Sequence, residues 1–181
     1  EMDKLIDKLV KLPRWNAIVV IAIYSLLLAE STIILVEATT YNIQNPTTNW
    51  LPIIMHISSI ISVFAQWIIV AILIYLPVLL LSGKGKFGDL LFSTSYFYLF
   101  QIIALPIVIY LLTKVHVPKG VDVEAFLSAN TTIKTISVIT NCSYIPFYVL
   151  CVFAVRRIFS INYLRSIVAC SVPAVTFYVL P

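Results

Sequence analysis

Charge is what this sequence has least of. Asp, Glu, Lys and Arg make up 11% of its 181 residues, where a soluble domain carries about a quarter. Glycine is scarce as well: there are 4, and three of them (Gly83, Gly85 and Gly88) fall in one short turn. The chain has two histidines and three cysteines. These shortages exclude a good deal. There is no GxSxG element for a serine nucleophile, and the glycine turn is wrongly spaced for a phosphate-cradling GxxxxGK[ST] loop. No CxxC, HxxxH or Cys/His spacing points to a metal. No nucleophile, base and oxyanion-stabilising group can be named together, so no catalytic residue, cofactor or enzymatic activity is expected. Cys142 and Cys151 stand nine residues apart, on opposite faces of one helix, and cannot bridge each other. With Cys170 they read as small apolar packing residues.

What fills the space is hydrocarbon. Hydrophobic residues make up 61% of the chain, and its mean hydropathy is +1.02. Five apolar stretches stand out, at 16–39, 57–81, 90–113, 135–155 and 166–180. The first four each reach the ~20 residues that a helix needs to cross a ~30 Å hydrocarbon core. The expected fold is all-α: one polytopic bundle of five transmembrane helices over 15–181, preceded by a short amphipathic helix over 1–14. No cleaved signal peptide is expected, because Glu1–Arg14 is charged throughout. Glu1 ahead of Met2 reads as a trimmed start. The last stretch is barely long enough to span, so the natural chain is expected to continue.

The charges that remain are sorted. With the N-terminus inside and five crossings, the inner side holds Lys4, Lys8, Lys11, Arg14, Lys84, Lys86, Arg156, Arg157 and Arg165. The outer side holds only Lys114, Lys119 and Lys134. Nine basic residues against three is the positive-inside bias of an N-in, C-out protein. The net charge of +4 therefore sets topology and meets anionic lipid, and nucleic acid is not an expected partner.

In Met2–Leu12, the residues Met2, Leu5, Ile6, Leu9 and Leu12 recur at helical spacing among Asp3, Lys4, Asp7, Lys8 and Lys11. That pattern fits a helix lying in the inner membrane interface, or one packed against inner loops or a partner. Pro13 ends it and Trp15 marks entry into the membrane. Either Pro52 separates a short interfacial approach from the second crossing or that helix is strongly tilted. Pro77, Pro106, Pro146 and Pro173 should kink their helices, Asp89 should cap the third, and 121–129 should form a short surface helix. Intramembrane polar candidates are Glu30, Glu37, His56 and Gln66, since ionisable groups at membrane depth point to function by default. An outer cluster of Glu37, His56 and His116, with Glu30 deeper, is one arrangement; hydrogen-bonded or wet side chains without a task are the other. Lys84, Lys86, Arg156, Arg157 and Arg165 are the candidate inner contact surface.

Three segments carry a family likeness: the short helix ending in Leu12-Pro13-Arg14, the glycine and aromatic stretch from Gly83 to Pro106, and the turn and helix from Arg156 to Pro173. With five crossings and an N-in, C-out arrangement, the chain resembles Yip1-domain membrane proteins. The acidic-Tyr-Gly-Pro motif of eukaryotic members is absent, so the likeness implies the prokaryotic branch and no Rab-type GTPase partner. The Ile-, Tyr- and Asn-rich composition suits an archaeon. For that branch the resemblance implies a membrane fold without a settled activity, and the first reading is a non-enzymatic multi-pass protein of the plasma membrane that organises membrane or scaffolds membrane-protein partners or copies of itself. Two alternatives stand beside it. One is an accessory subunit of a respiratory, secretion or transport complex, docking through the aromatic face of the third crossing (Phe92, Tyr96, Phe97, Tyr98, Phe100). The other is a small proton- or ion-linked transporter built on Glu30.

Overall fold

A computed structural model describes residues 1–40, 50–118 and 121–178. Eight helical segments lie within them: α1 (Met2–Lys11), α2 (Arg14–Thr40), α3 (Leu51–Leu80), α4 (Phe87–Phe97), α5 (Leu99–Leu112), α6 (Val123–Ala129), α7 (Thr131–Phe159) and α8 (Tyr163–Tyr178). α4 and α5 run on as one span, Phe87–Leu112. With it, α2, α3 and α7 make four helices long and apolar enough to cross a membrane, as a multi-pass membrane protein requires. The apolar part of α8, Tyr163–Thr176, is shorter than that. The polar stretch 41–49, Lys119-Gly120 and the last three residues lie outside the described residues.

The helices start and stop where side chains meet the orphan groups of their ends. Pro13 forces Leu12 into extended backbone and closes α1 (φ −66°, ψ 150°). Pro52 sits in the first turn of α3, where its missing N–H costs nothing. α3 therefore runs unbroken from Leu51, and no separate approach segment precedes the crossing. The Asn130 side chain accepts from Thr132 N (2.8 Å) and Ile133 N (3.2 Å). That cap starts α7 a turn ahead of its apolar stretch. Asp122 starts α6 in the same way, two residues later than expected. Ser160, in the left-handed region (φ 54°), ends α7 beyond Arg156 and Arg157. Asp89 does not cap. Lys86 holds the cap position of α4, and Asp89 lies in the first turn, where its charge suits the helix dipole.

The walls form a ring in which α2 packs on α3 and α5, α5 on α7, α7 on α8, and α8 on α3. α4 fills the ring at the α1 end, touching α2, α3 and α7. Its residues Leu90 and Ser93 to Phe97 are buried. Hydrocarbon tails draw no apolar helices together, so close packing of small residues must do it. Ser93, Thr94 and Ser95 supply that smallness and return their hydroxyls to their own helix, on the Asp89, Leu91 and Phe92 carbonyls. Trp67 Nε1 on α3 donates to the Leu91 carbonyl at 2.9 Å.

The aromatic cluster faces inward. Tyr98 packs between Tyr24 and Phe147, with ring centroids 4.9 Å from each. Phe97 meets Phe147 at 6.2 Å, and Phe92 meets Trp67 at 6.1 Å. Tyr96, Phe97 and Tyr98 are buried, and Phe100 alone of the five is exposed. The third crossing breaks at Tyr98, eight residues before Pro106. Past the break it leaves the centre of the bundle and joins the wall as α5. Pro77, Pro106, Pro146 and Pro173 all lie inside continuous helices. Cys151 and Cys170 are buried, as packing residues should be, whereas Cys142 is exposed.

Candidate functional site

The amphipathic pattern of α1 has two polar registers of opposite sign. Asp3 and Asp7, four residues apart, share a face with Ile6 and Val10; Lys4, Lys8 and Lys11 occupy the other. The acidic face is docked on the bundle, where α1 packs against α4 and α7. Arg156 Nη2 donates to both oxygens of Asp3 at 2.6 Å. Arg157 grips Asp7 in a two-pronged pair, Nε to Oδ1 at 2.8 Å and Nη2 to Oδ2 at 2.7 Å. Ile6 is wholly buried between them, worth about 2 kcal/mol of hydrophobic burial at this water-facing end. The Arg156 guanidinium also lies over the Tyr163 ring, 4.4 Å from its centroid. Hydrogen bonds from the guanidinium groups hold both carboxyls below their ordinary value of 3.8, against a smaller opposing effect of partial burial.

This docking changes the expected basic surface. Arg156, half-buried, and Arg157, still exposed, are both paired with α1, because their positions in the last turn of α7 meet the acidic face of the arm. Lys4, Lys8, Lys11 and Arg14 are exposed beside them, together with Lys84 and Lys86 in the glycine turn. Arg165 is exposed too, and its Nη1 donates to the Leu81 carbonyl at 3.2 Å, tying α8 to that turn. The turn itself is pressed against the end of α7, with Lys84 N donating to the Phe159 carbonyl at 3.3 Å. A methyl group at Gly85 would meet the Ile158 carbonyl oxygen at 2.6 Å, so only glycine fits this close approach.

The intramembrane candidates separate into two places. Glu30 on α2 and His56 on α3 lie side by side, with His56 Nε2 3.9 Å from Glu30 Oε2. Both are on the outside of the bundle, their side chains 52% and 36% exposed. Antiparallel packing sets this register, and Ser59 Oγ on α3 donates to the Ser25 carbonyl on α2 at 3.2 Å. His56 Nδ1 donates to the Pro52 carbonyl at 2.8 Å, which turns Nε2 to Glu30. Glu37 does not join them. It lines a cavity of about 720 Å³ with His116, walled by Ile34, Leu112, Val115 and Val117, at the end of the bundle away from α1. The outer cluster expected of Glu37, His56 and His116 is therefore two sites. Gln66 is half-buried on α3 and takes part in neither. Among the described residues, no three His, Cys, Asp or Glu side chains are grouped to hold a metal ion.

Sequence reasoning passed over the buried polar node of the bundle. Gln101, 3% exposed, lies on α5 just past the break at Tyr98. Its amide nitrogen donates to the Ser143 carbonyl at 3.3 Å. With the amide turned over, it serves the Phe97 and Tyr98 carbonyls at 3.1 and 3.2 Å. Tyr24 and Tyr144 join hydroxyls at 3.2 Å beside it, around a cavity of about 50 Å³. A lone glutamine in an apolar run was the available signal. No family model matches the chain, and no curated protein or solved structure does either.

Proposed function

We propose that this chain is a non-enzymatic, Yip1-like multi-pass protein of a prokaryotic plasma membrane, acting by membrane organisation and scaffolding. In this reading α8 is the fifth crossing, α1 and the glycine turn face the cytoplasm, and the other end faces out. The observation that carries it is the sorting of charge on α1. Its acids are fastened to α7, and Lys4, Lys8 and Lys11 are exposed at the same end of the bundle as Lys84 and Lys86. A fixed basic face beside the bilayer draws anionic lipid at about 1 kcal/mol per residue. The two other readings lose the features they rested on. The aromatic residues offered as a subunit-docking face are mostly spent in the core. Glu30 faces away from the bundle interior, where a conducting residue would line a pathway.

Native mass spectrometry of the protein taken from its own membrane in mild detergent tests the reading. The expected result is a monomer or homo-oligomer retaining anionic lipid, with at least severalfold less lipid retained when Lys4, Lys8 and Lys11 are changed to Gln. A fixed set of unrelated co-eluting subunits would make the chain an accessory component and overturn it.

A further inference from the structure

The Glu30–His56 pair is separate from the basic face and has no use in the reading above. It also stands in the wrong place for a solvated pair. Glu30 lies ten residues before the end of α2, about 15 Å along the helix. The positions that share its face one and two turns back, Leu26 and Ile23, are exposed apolar residues. On α3 the residue one turn nearer the helix end than His56 is Ile53, 49% exposed. The apolar belt thus extends past the pair on both sides, and the pair sits within it. At 3.9 Å the two are within ion-pair range but too far apart for a hydrogen bond. Glu30 accepts no hydrogen bond among the described residues. A carboxylate at this depth needs a partner that lipid tails do not offer.

We propose that this face is the interface with a second copy of the chain, related by a two-fold axis that sets the partner's His56 against Glu30 and the partner's Glu30 against His56. The pair is self-complementary. Acid on α2 and base on α3 lie at one level on neighbouring helices, and a two-fold rotation exchanges them. Each Glu30 then gains a second imidazole beside it, and Leu26, Ile23 and Ile53 close around the crossed pairs.

The test is disulfide cross-linking in native membranes, in a background where Cys142, Cys151 and Cys170 are replaced by Ala. Leu26→Cys and Ile53→Cys leave Glu30 and His56 untouched, and Ile103→Cys, exposed on α5, reports random collision. The proposal expects mild oxidation to give a dimer of this chain with at least tenfold higher yield for Leu26→Cys or Ile53→Cys than for Ile103→Cys. Glu30→His and His56→Glu, each alone, should lower that yield severalfold, and the double exchange Glu30→His/His56→Glu should restore it. Yields no higher than the Ile103→Cys control overturn the proposal, as does cross-linking to a different protein instead of a second copy. Insensitivity of the dimer to both single exchanges overturns it as well.

Discussion

At the α1 end of the bundle the chain fastens itself three times over: two carboxylate–guanidinium pairs hold the arm, Arg165 holds the Leu81 carbonyl, and the glycine turn is pressed onto α7. At the other end α6 packs on α7 and buries none of its side chains, and Glu37 and His116 stand exposed around an open cavity. Charge is plentiful at both ends, but at the first it is used internally before any is offered outward. The two arginines in the last turn of α7 fasten the arm, Arg157 while still exposed, and the lysines on the free side of the arm face outward beside them.

The contrast can be broken most sharply at the glycine turn. Gly85→Ala drives a methyl group into the Ile158 carbonyl, and overpacking of this kind costs about 1–3 kcal/mol. Thermal unfolding in detergent should show the loss. A stability equal to wild type would mean that the turn is not held against α7.

Next in size is the response of the arm to acid. Asp3 and Asp7 have folded-state values below their ordinary one, chiefly through hydrogen bonds from Arg156 and Arg157. Their contribution to docking is complete above the ordinary carboxyl value and is lost as pH falls through the lowered one. A spin label on α1, at Lys11→Cys, should keep one mobility from about pH 8 to about pH 5. It should loosen only in stronger acid. Loosening already near neutrality would show that the carboxylates do not hold the arm.

The smallest effect belongs to the far end. Asp122→Ala removes the side-chain cap of a seven-residue helix without buried residues. Helicity there should fall, but global unfolding should move by less than about 0.5 kcal/mol. A shift several times larger would make α6 part of the core and erase the contrast.

Much of this architecture was legible in the chain because a bilayer leaves few choices. Long apolar runs have to be helices, and the four longest are. The arm, too, could be read from the spacing of Leu5, Ile6 and Leu9 among charges. Its docking could not, since pairing Asp3 with Arg156 joins residues 153 apart, and helix order is silent in the sequence. Helix ends were missed by a turn wherever a cap outranked hydropathy, as at Asn130. The break at Tyr98 was missed because proline is the visible breaker, whereas here an inward cluster of aromatic rings around Tyr98 accompanies it. For Glu30, depth could be read but direction could not: which way a residue of a uniformly apolar helix faces depends on its neighbours.

The most direct test of the account is tryptic release of the arm in reconstituted vesicles, since trypsin cuts after Lys4, Lys8 and Lys11. The account predicts slow release in the wild type and release at least tenfold faster in Asp3→Asn/Asp7→Asn, which breaks both ion pairs and adds no tryptic site. Equal rates in the wild type and the neutralised arm would contradict the account, because α1 would then lie free of α7 and nothing would fix its lysines outward.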